Sequence, residues 1–208
     1  MKRRGAWLFL AITLWACGQP YVMVGGPETE ISENFAVDLP DGWRRHNLDR
    51  DKSPRSKGEL DQLIERRELT WDTIRITRDG LLLQQIGIGR IASNNEFPHT
   101  KKKLSEGMLP QEAAEVIIDN LRSNPDITKQ QIAENVPAKV GSYPGFKLMY
   151  TYQTKRGLTI KGAYYGVMLG KWHYYLLYEA PARYYFAKDL PVFEKVKESF
   201  KILTTGLA

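Results

Sequence analysis

The chain has 208 residues, of which 42% are apolar and 26% charged, a composition typical of a soluble globular protein with one sizeable core. Its formal charge is +6, and removing the three basic residues of positions 1–16, a segment without acids, leaves +3. A balance this small, with no concentrated basic face, argues against a nucleic-acid-binding protein.

The first 17 residues have the pattern of a secretory signal peptide. They read MKRRGAWLFLAITLWAC, in which a basic cluster precedes an apolar run from Ala6 to Ala16. This run is too short to span a bilayer, which takes about 20 apolar residues. Its end, LWAC, resembles the lipobox of bacterial lipoproteins, which implies a signal peptide over residues 1–16 and lipidation of Cys17. The alternatives are a simple cleaved signal, or an uncleaved anchor with an incidental cysteine.

Cys17 is the only cysteine of the chain. A single thiol exported to an oxidising compartment has no disulfide partner, whereas a lipidated cysteine needs none. Gly18 follows it, and by resemblance to the sorting rule of enteric bacteria a residue other than Asp at this position implies the outer membrane. We therefore predict a lipoprotein of the bacterial cell envelope that faces the periplasm, held by a diacylglyceryl group on Cys17 and an amide-linked chain such as palmitate.

The ordered part of the chain is predicted to begin after a tether. Residues 17–33 are rich in Gly, Pro and acids without a sustained period, as flexible linkers are. A single α+β domain is predicted over residues 34–203. The segment NFAVDL from Asn34 alternates as a strand, the PDG that follows is a turn signature, and Trp43 begins a second short run.

A hairpin is predicted next, because residues 71–78 alternate and are followed by Asp79-Gly80, a strong turn signal. The returning strand contains GIGRIA, which matches the dinucleotide pattern G-x-G-x-x-A. No helix can begin cleanly in the SNNEFP that follows, so we predict no nucleotide cofactor. Gly87 and Gly89 instead predict a flat strip on which a helix or strand lies close.

Two helices and a further extended segment complete the prediction outside the central strands. Pro110 begins a helix whose apolar residues recur at helical spacing, and SNP from Ser123 ends it. Residues 127–140 are predicted to be extended. Near the C-terminus, Asp189 is predicted to cap a helix with Pro191 in its first turn.

Three β-rich runs follow Gly145, namely FKLMYTYQT, LTIKGAYYGVML and WHYYLLYEA. They are separated only by KRG and GK, and links this short cannot make parallel crossovers. An antiparallel meander is therefore predicted, and a mainly antiparallel sheet of about six strands flanked by helices is expected overall.

The order of these elements resembles the PsbP/Mog1/DcrB-like family. The resemblance rests on Phe35–Trp43 with its LPDGW turn, on the strand after Gly145, and on the closing FEKVKESFKI. It covers most of residues 34–203, but residues 46–70 have no counterpart. It implies an antiparallel sheet between helices, in exported or membrane-attached proteins that act as accessory or assembly factors. No functional residue of the family carries over.

The sequence predicts no enzyme, no metal site and no cofactor. It lacks the G-x-S-x-G motif of a nucleophile elbow. Its three histidines, His46, His99 and His173, show no spacing typical of metal ligands. His173 lies in a β-rich run between two aromatic residues and is predicted to belong to the core or to a sheet face.

Tyrosine is concentrated in the meander, where ten of the eleven tyrosines lie between Tyr143 and Tyr185. Adjacent strand residues point to opposite faces, so each doublet should bury one ring and place the other at the surface or in a pocket. The candidate contact patch consists of Tyr164, Tyr165, Tyr174 and Tyr175, because tyrosine suits interfaces and ligand pockets. The alternative is that these tyrosines simply fill a sheet.

Three functions remain open at this point. The first is a binding or assembly module on a lipid tether, with an envelope protein as its partner. The second is a carrier of a small apolar or aromatic ligand in a tyrosine-lined pocket between sheet and helix, and the third is a hydrolase. A filled sheet–helix interface would favour the first, a cavity reached by several tyrosines the second, and a cleft joining His173 to a carboxylate and a hydroxyl the third.

Overall fold

The structure, a computed structural model, describes residues 21–24, 29–31, 34–46, 74–81 and 83–203. Cys17 and the predicted signal peptide lie outside these residues. The strands are β1 (Tyr21–Val24), β2 (Thr29–Ile31), β3 (Phe35–Asp38), β4 (Trp43–His46), β5 (Ile74–Thr77), β6 (Gln85–Ala92), β7 (Ile127–Val140), β8 (Tyr143–Thr154), β9 (Thr159–Leu169), β10 (Trp172–Pro181) and β11 (Lys201–Ile202). The helices are α1 (Pro110–Arg122) and α2 (Tyr185–Ser199).

The described strands form an eight-stranded sheet in the order β1-β4-β5-β6-β10-β9-β8-β7, and a three-stranded sheet in the order β11-β3-β2. The predicted meander is confirmed as β8–β9–β10, whose two turns contain Gly157 and Gly170 with φ of 79° and 55°. The α+β class with its mainly antiparallel sheet is confirmed as well. The number of strands is larger than the six expected, because short strands without a clear alternating pattern contribute.

Two of these short strands lie inside the segment 17–33 that the sequence predicts to be a tether. β1 pairs antiparallel with β4, and β2 pairs antiparallel with β3. Main-chain hydrogen bonds hold such edge strands whatever the side-chain pattern, so composition gives no signal for them. Residues 21–24 and 29–31 of the predicted tether are therefore paired into the two sheets.

Within the described ranges, each face of the large sheet carries one helix and one apolar core. α2 packs on β10, β9 and β3, where Phe193 lies against the rings of Tyr165 and Tyr178 with centroid distances of 5.8 and 5.5 Å. α1 covers the opposite face over β7, β8 and β9. The second core forms beneath it around Ala114 and Ile118.

The predicted start of the last helix is wrong, because α2 begins at Tyr185 and not at Asp189. Asp189 is buried inside the helix and caps nothing. Its Oδ1 lies 2.8 Å from Nη2 of Arg78, and its Oδ2 accepts a hydrogen bond of 2.7 Å from Nε2 of Gln84. Pro191 consequently sits in the helix interior, where it removes one backbone hydrogen bond. Packing of the first turn of α2 against β10 outweighs the local signal.

The hairpin predicted at Asp79-Gly80 is confirmed, since β5 pairs antiparallel with β6. Its connection runs through residues 78–84 and is longer than a two-residue turn. Gly80 takes a φ of 116°, a conformation that favours glycine. The side chains of Arg78 and Gln84, which hold Asp189, both come from this connection.

Candidate functional site

A cleft with a volume of about 220 Å³ lies between the large sheet and α1. We call it the aromatic cleft, and it is bounded by Tyr150, Tyr164 and Tyr175 on the sheet, Ile117 and Leu121 on α1, and Phe97 on the segment between β6 and α1. Rings and branched apolar side chains make up most of these walls. Small-molecule sites typically combine such walls with a few placed polar groups.

Gly87 leaves the floor of the aromatic cleft open on the side of β6. It pairs with Arg75 of β5 and Leu177 of β10, and both of these residues also line the cleft. A Cβ added at Gly87 would meet no atom within 4 Å. For Gly87, the prediction of a helix or strand packed closely on it is therefore wrong among the described residues, where α1 covers β7, β8 and β9 instead. For Gly89 the same expectation stays a prediction.

Two glycines of β9 have the opposite role and let aromatic rings lie flat on the sheet. A Cβ at Gly162 would overlap the ring of Tyr150, and one at Gly166 would overlap the rings of Phe146 and His173. A ring lying over a strand glycine covers backbone that would otherwise be bare. Tyr150 is thereby held down across β9 on the floor of the cleft.

Four rings form a nearly parallel array beneath α1. Tyr164 lies 6.0 Å from Tyr175, 6.0 Å from His173 and 5.9 Å from Phe146, measured between centroids, with interplanar angles of 10°, 10° and 16°. Offset parallel pairs of this kind attract each other beyond the area they bury. The array gives one wall of the cleft a rigid aromatic surface.

His173 is fully buried within this array, as the sequence predicts. Its Nε2 lies 2.6 Å from the hydroxyl of Tyr164, and its Nδ1 has no hydrogen-bond partner among the described residues. Burial lowers the pKa of His173 to about 3, so the imidazole is neutral at physiological pH. Burial, with a smaller contribution from Tyr175, raises the pKa of Tyr164, which therefore stays a neutral phenol.

A buried carboxylate forms the polar end of the aromatic cleft. Oε1 of Glu179 accepts hydrogen bonds from the hydroxyls of Tyr150 at 2.9 Å and Tyr152 at 3.3 Å. Its Oε2 accepts a bond of 2.9 Å from Nε2 of Gln85. Arg75, which is also buried, is another polar residue that lines the cleft. The three hydrogen bonds from Tyr150, Tyr152 and Gln85 satisfy carboxyl oxygens that would be costly to bury without partners.

The four tyrosines of the predicted contact patch divide between the two faces of the sheet. Tyr164 and Tyr175 line the aromatic cleft, whereas Tyr165 and Tyr174 belong to the core under α2. The hydroxyl of Tyr165 donates to Oε1 of Glu194 at 2.8 Å. All four rings are buried, so they do not form one exposed patch, and a contact role stays a prediction for the two in the cleft.

The polar groups of the cleft come from residues that no sequence motif marks as functional. Among them, Glu179 could have been recognised from the sequence, because it is the one carboxylate in the otherwise uncharged run WHYYLLYEA. His99 also lines the cleft, and its backbone N–H donates to Oδ1 of Asn120 at 3.0 Å. The side chain of His46 lies outside what the structure describes.

Within the described ranges, no group of three or more His, Cys, Asp or Glu residues is placed to hold a metal ion. In the same part of the chain, neither helix combines the length and the apolar character needed to cross a bilayer.

No protein-family model matches the sequence, and no curated protein matches it. Among solved structures, cyanobacterial PsbP (CyanoP) from Synechocystis is similar over 91% of this chain and 99% of that chain, with a TM-score of 0.51 and 12% identity. The fold is PsbP-like. At this identity the likeness concerns the fold, and what the cleft can bind follows from its own residues.

Two further structures show weaker likeness. The Ran-binding protein Mog1p of Saccharomyces cerevisiae is 12% identical over 83% of this chain and 92% of its own, with a TM-score of 0.46. LpqN of Mycobacterium tuberculosis, involved in cell envelope biogenesis, is 16% identical over 88% of both chains, also with a TM-score of 0.46. The chain spans only 46% of a longer solved chain from Bacteroides thetaiotaomicron.

Proposed function

We propose that this protein is a binding module that takes a small aromatic or apolar ligand into the aromatic cleft. The observation that carries the proposal is an open space of about 220 Å³ walled by Tyr150, Tyr164 and Tyr175 between sheet and helix. An apolar cavity of about 150 Å³ is enough to bind benzene. The aromatic cleft therefore has room for one substituted ring.

Filling the cleft from its floor tests this proposal. Gly87 does not have a positive φ, and a side chain there meets open space, so Gly87→Leu should fold normally while occupying the ligand volume. We expect titration of the mature protein with p-cresol, followed by NMR, to show saturable shifts that Gly87→Leu abolishes. Gln131→Leu adds the same side chain at an exposed position of β7 and should leave binding unchanged. Equal binding by Gly87→Leu and the unsubstituted protein would overturn the proposal.

The proposed module is not catalytic. A hydrolase needs a nucleophile beside a base that can take up a proton. The hydroxyl beside His173 belongs to the phenol of Tyr164, and the pKa of this histidine is lowered to about 3 by burial. Both features support a structural role for the pair.

The proposal places the module in the bacterial cell envelope, anchored through Cys17 to the outer membrane and facing the periplasm. Its support is the N-terminal sequence, with its signal-peptide pattern, its LWAC and the Gly18 that follows. An envelope protein is proposed as a docking partner, for which Tyr184, 60% exposed at the start of α2, offers an aromatic contact. Co-purification from detergent-solubilised membranes is the measurement that checks for this partner.

A further inference from the structure

Three amide side chains line the aromatic cleft. In each of them, either the amide nitrogen or the amide oxygen makes a hydrogen bond within the described part of the protein, and the other atom does not. Gln85 is on the sheet wall, in β6, and its Nε2 donates to Oε2 of Glu179 at 2.9 Å. A carboxylate oxygen can only accept, so the amide nitrogen must face it. The carbonyl oxygen of Gln85 is left as a hydrogen-bond acceptor, without a partner in the part of the chain that the structure describes.

On the opposite wall, Asn120 of α1 and Asn124 just beyond its end are fixed in the reverse sense. Oδ1 of Asn120 accepts from the backbone N–H of His99 at 3.0 Å, and Oδ1 of Asn124 accepts from the backbone N–H of Asp126 at 2.9 Å. A backbone N–H can only donate, so each amide oxygen must face it. Both NH₂ groups are left as donors that make no hydrogen bond to another described residue.

From this arrangement, and resting on the proposed function, we propose that the aromatic cleft selects a single aromatic ring that carries a hydrogen-bond donor on one side and an acceptor on the other. The donor bonds the carbonyl oxygen of Gln85, and the acceptor bonds the NH₂ groups of Asn120 and Asn124. The ring itself lies against Tyr164 and Tyr175. Phenols that bear a carbonyl group opposite the hydroxyl are the chemical class that fits.

Selectivity follows because the three amides are half-buried. A ligand that fills the cleft without hydrogen-bonding these amides displaces the water at their free ends and does not replace the hydrogen bonds that this water makes. Such sites reject analogues that lack the matching group. Each missing hydrogen bond should weaken binding by roughly threefold to tenfold.

Three ligands of one ring size test the pattern on the mature protein. 4-Hydroxyacetophenone carries both groups, p-cresol carries only the donor, and acetophenone carries only the acceptor. We expect 4-hydroxyacetophenone to bind most tightly, as measured by calorimetric or NMR titration. Acetophenone lacks one hydrogen bond and should bind roughly threefold to tenfold more weakly, whereas p-cresol lacks the two bonds to Asn120 and Asn124 and should bind roughly tenfold to a hundredfold more weakly.

Asn120→Asp and Asn124→Asp identify the residues that recognise the acceptor. Each variant keeps the oxygen that accepts the backbone N–H and replaces the NH₂ donor by a second acceptor oxygen. Both variants should lose at least about tenfold in affinity for 4-hydroxyacetophenone and acetophenone, whereas p-cresol should bind as before and so report an intact cleft. Asn94→Asp makes the same change at an exposed turn outside the cleft and should alter none of the three affinities.

The possible outcomes separate this inference from the proposed function. If all three ligands bind equally well, or if both Asp variants bind 4-hydroxyacetophenone as the unsubstituted protein does, the donor–acceptor pattern is overturned. Ligand binding that Gly87→Leu abolishes would leave the proposed function standing in that case. If none of the three ligands binds, the proposed function fails together with the inference.

Discussion

At the scale of single residues, the aromatic cleft depends on where side chains are missing as much as on where they are present. Gly87 leaves its floor open, while Gly162 and Gly166 are covered by rings of β8 and β10. Alternation along a strand predicts which face each glycine belongs to. It does not reveal whether a helix, a ring or open space lies above that glycine, because this depends on residues far away in the sequence.

His173 gives a prediction about stability and pH. In the unfolded chain a histidine has a pKa of about 6.5, whereas burial lowers the folded-state pKa to about 3. Above pH 6.5 both states are neutral and the protein has its full stability. As pH falls below 6.5, only the unfolded state gains the proton, so the free energy of unfolding should fall by about 1.4 kcal/mol per pH unit until about pH 3.

Denaturant unfolding at intervals between pH 7 and pH 5 measures this slope. His173→Gln removes the titrating group but keeps a side chain that can hydrogen-bond Tyr164, so the slope should largely disappear in this variant. His99→Gln changes a half-buried histidine and should retain the slope. Parallel pH profiles for His173→Gln and the unsubstituted protein would contradict the assignment of a neutral buried imidazole.

At the scale of elements, the local sequence pattern predicted those helices and strands whose own residues favour that structure. The meander and α1 follow from β-forming runs, short links and helical spacing, and all of these elements are present. The start of α2 was missed because Asp189 bonds Arg78 and Gln84, which precede it by more than 100 residues. β1 and β2 were not predicted, because main-chain pairing with β4 and β3 forms these strands and their own side-chain pattern gives no signal.

Core packing under α2 leads to a prediction at this scale. Phe193 is completely buried between Tyr165 and Tyr178, so Phe193→Ala should lower the free energy of unfolding by about 3–5 kcal/mol. Ile117→Ala should cost less, because Ile117 is only partly buried and lines the cleft. Lys102→Ala removes an exposed ion pair with Asp119 and should change stability by less than about 0.5 kcal/mol. Thermal melting that fails to rank the three variants in this order would contradict the packing.

At the scale of the whole molecule, the cleft exists because one helix is narrower than the face it covers. Strands lie about 4.8 Å apart, so eight of them span far more than the roughly 10 Å of one helix. α1 sits over β7, β8 and β9, and Phe97 and Leu104 from the preceding segment pack beside it. Between this cover and β6, the described residues leave the aromatic cleft open. Neither the lateral position of α1 nor the resulting gap is encoded in any local stretch of sequence.

The lipid anchor proposed at Cys17 can be tested on the whole protein in the cell. Lipidation of Cys17 would attach at least two acyl chains, and two chains bind a bilayer far more stably than one. Cys17→Ser should therefore abolish acylation and leave either a precursor or a released soluble protein. β1 begins only four residues after Cys17, so an anchored domain would lie close to the membrane surface.

Membrane fractionation after a high-salt wash, with metabolic labelling by a fatty acid, measures this anchoring. The unsubstituted protein should take up label and stay with the membrane, and Cys17→Ser should do neither. Gly18→Ala leaves the acceptor cysteine in place and should still be labelled. A Cys17→Ser protein that remains in the washed membrane pellet would show that another segment anchors the chain. The assignment of Cys17 as the lipid-bearing residue would then have to be abandoned, whereas ligand binding in the aromatic cleft would be unaffected.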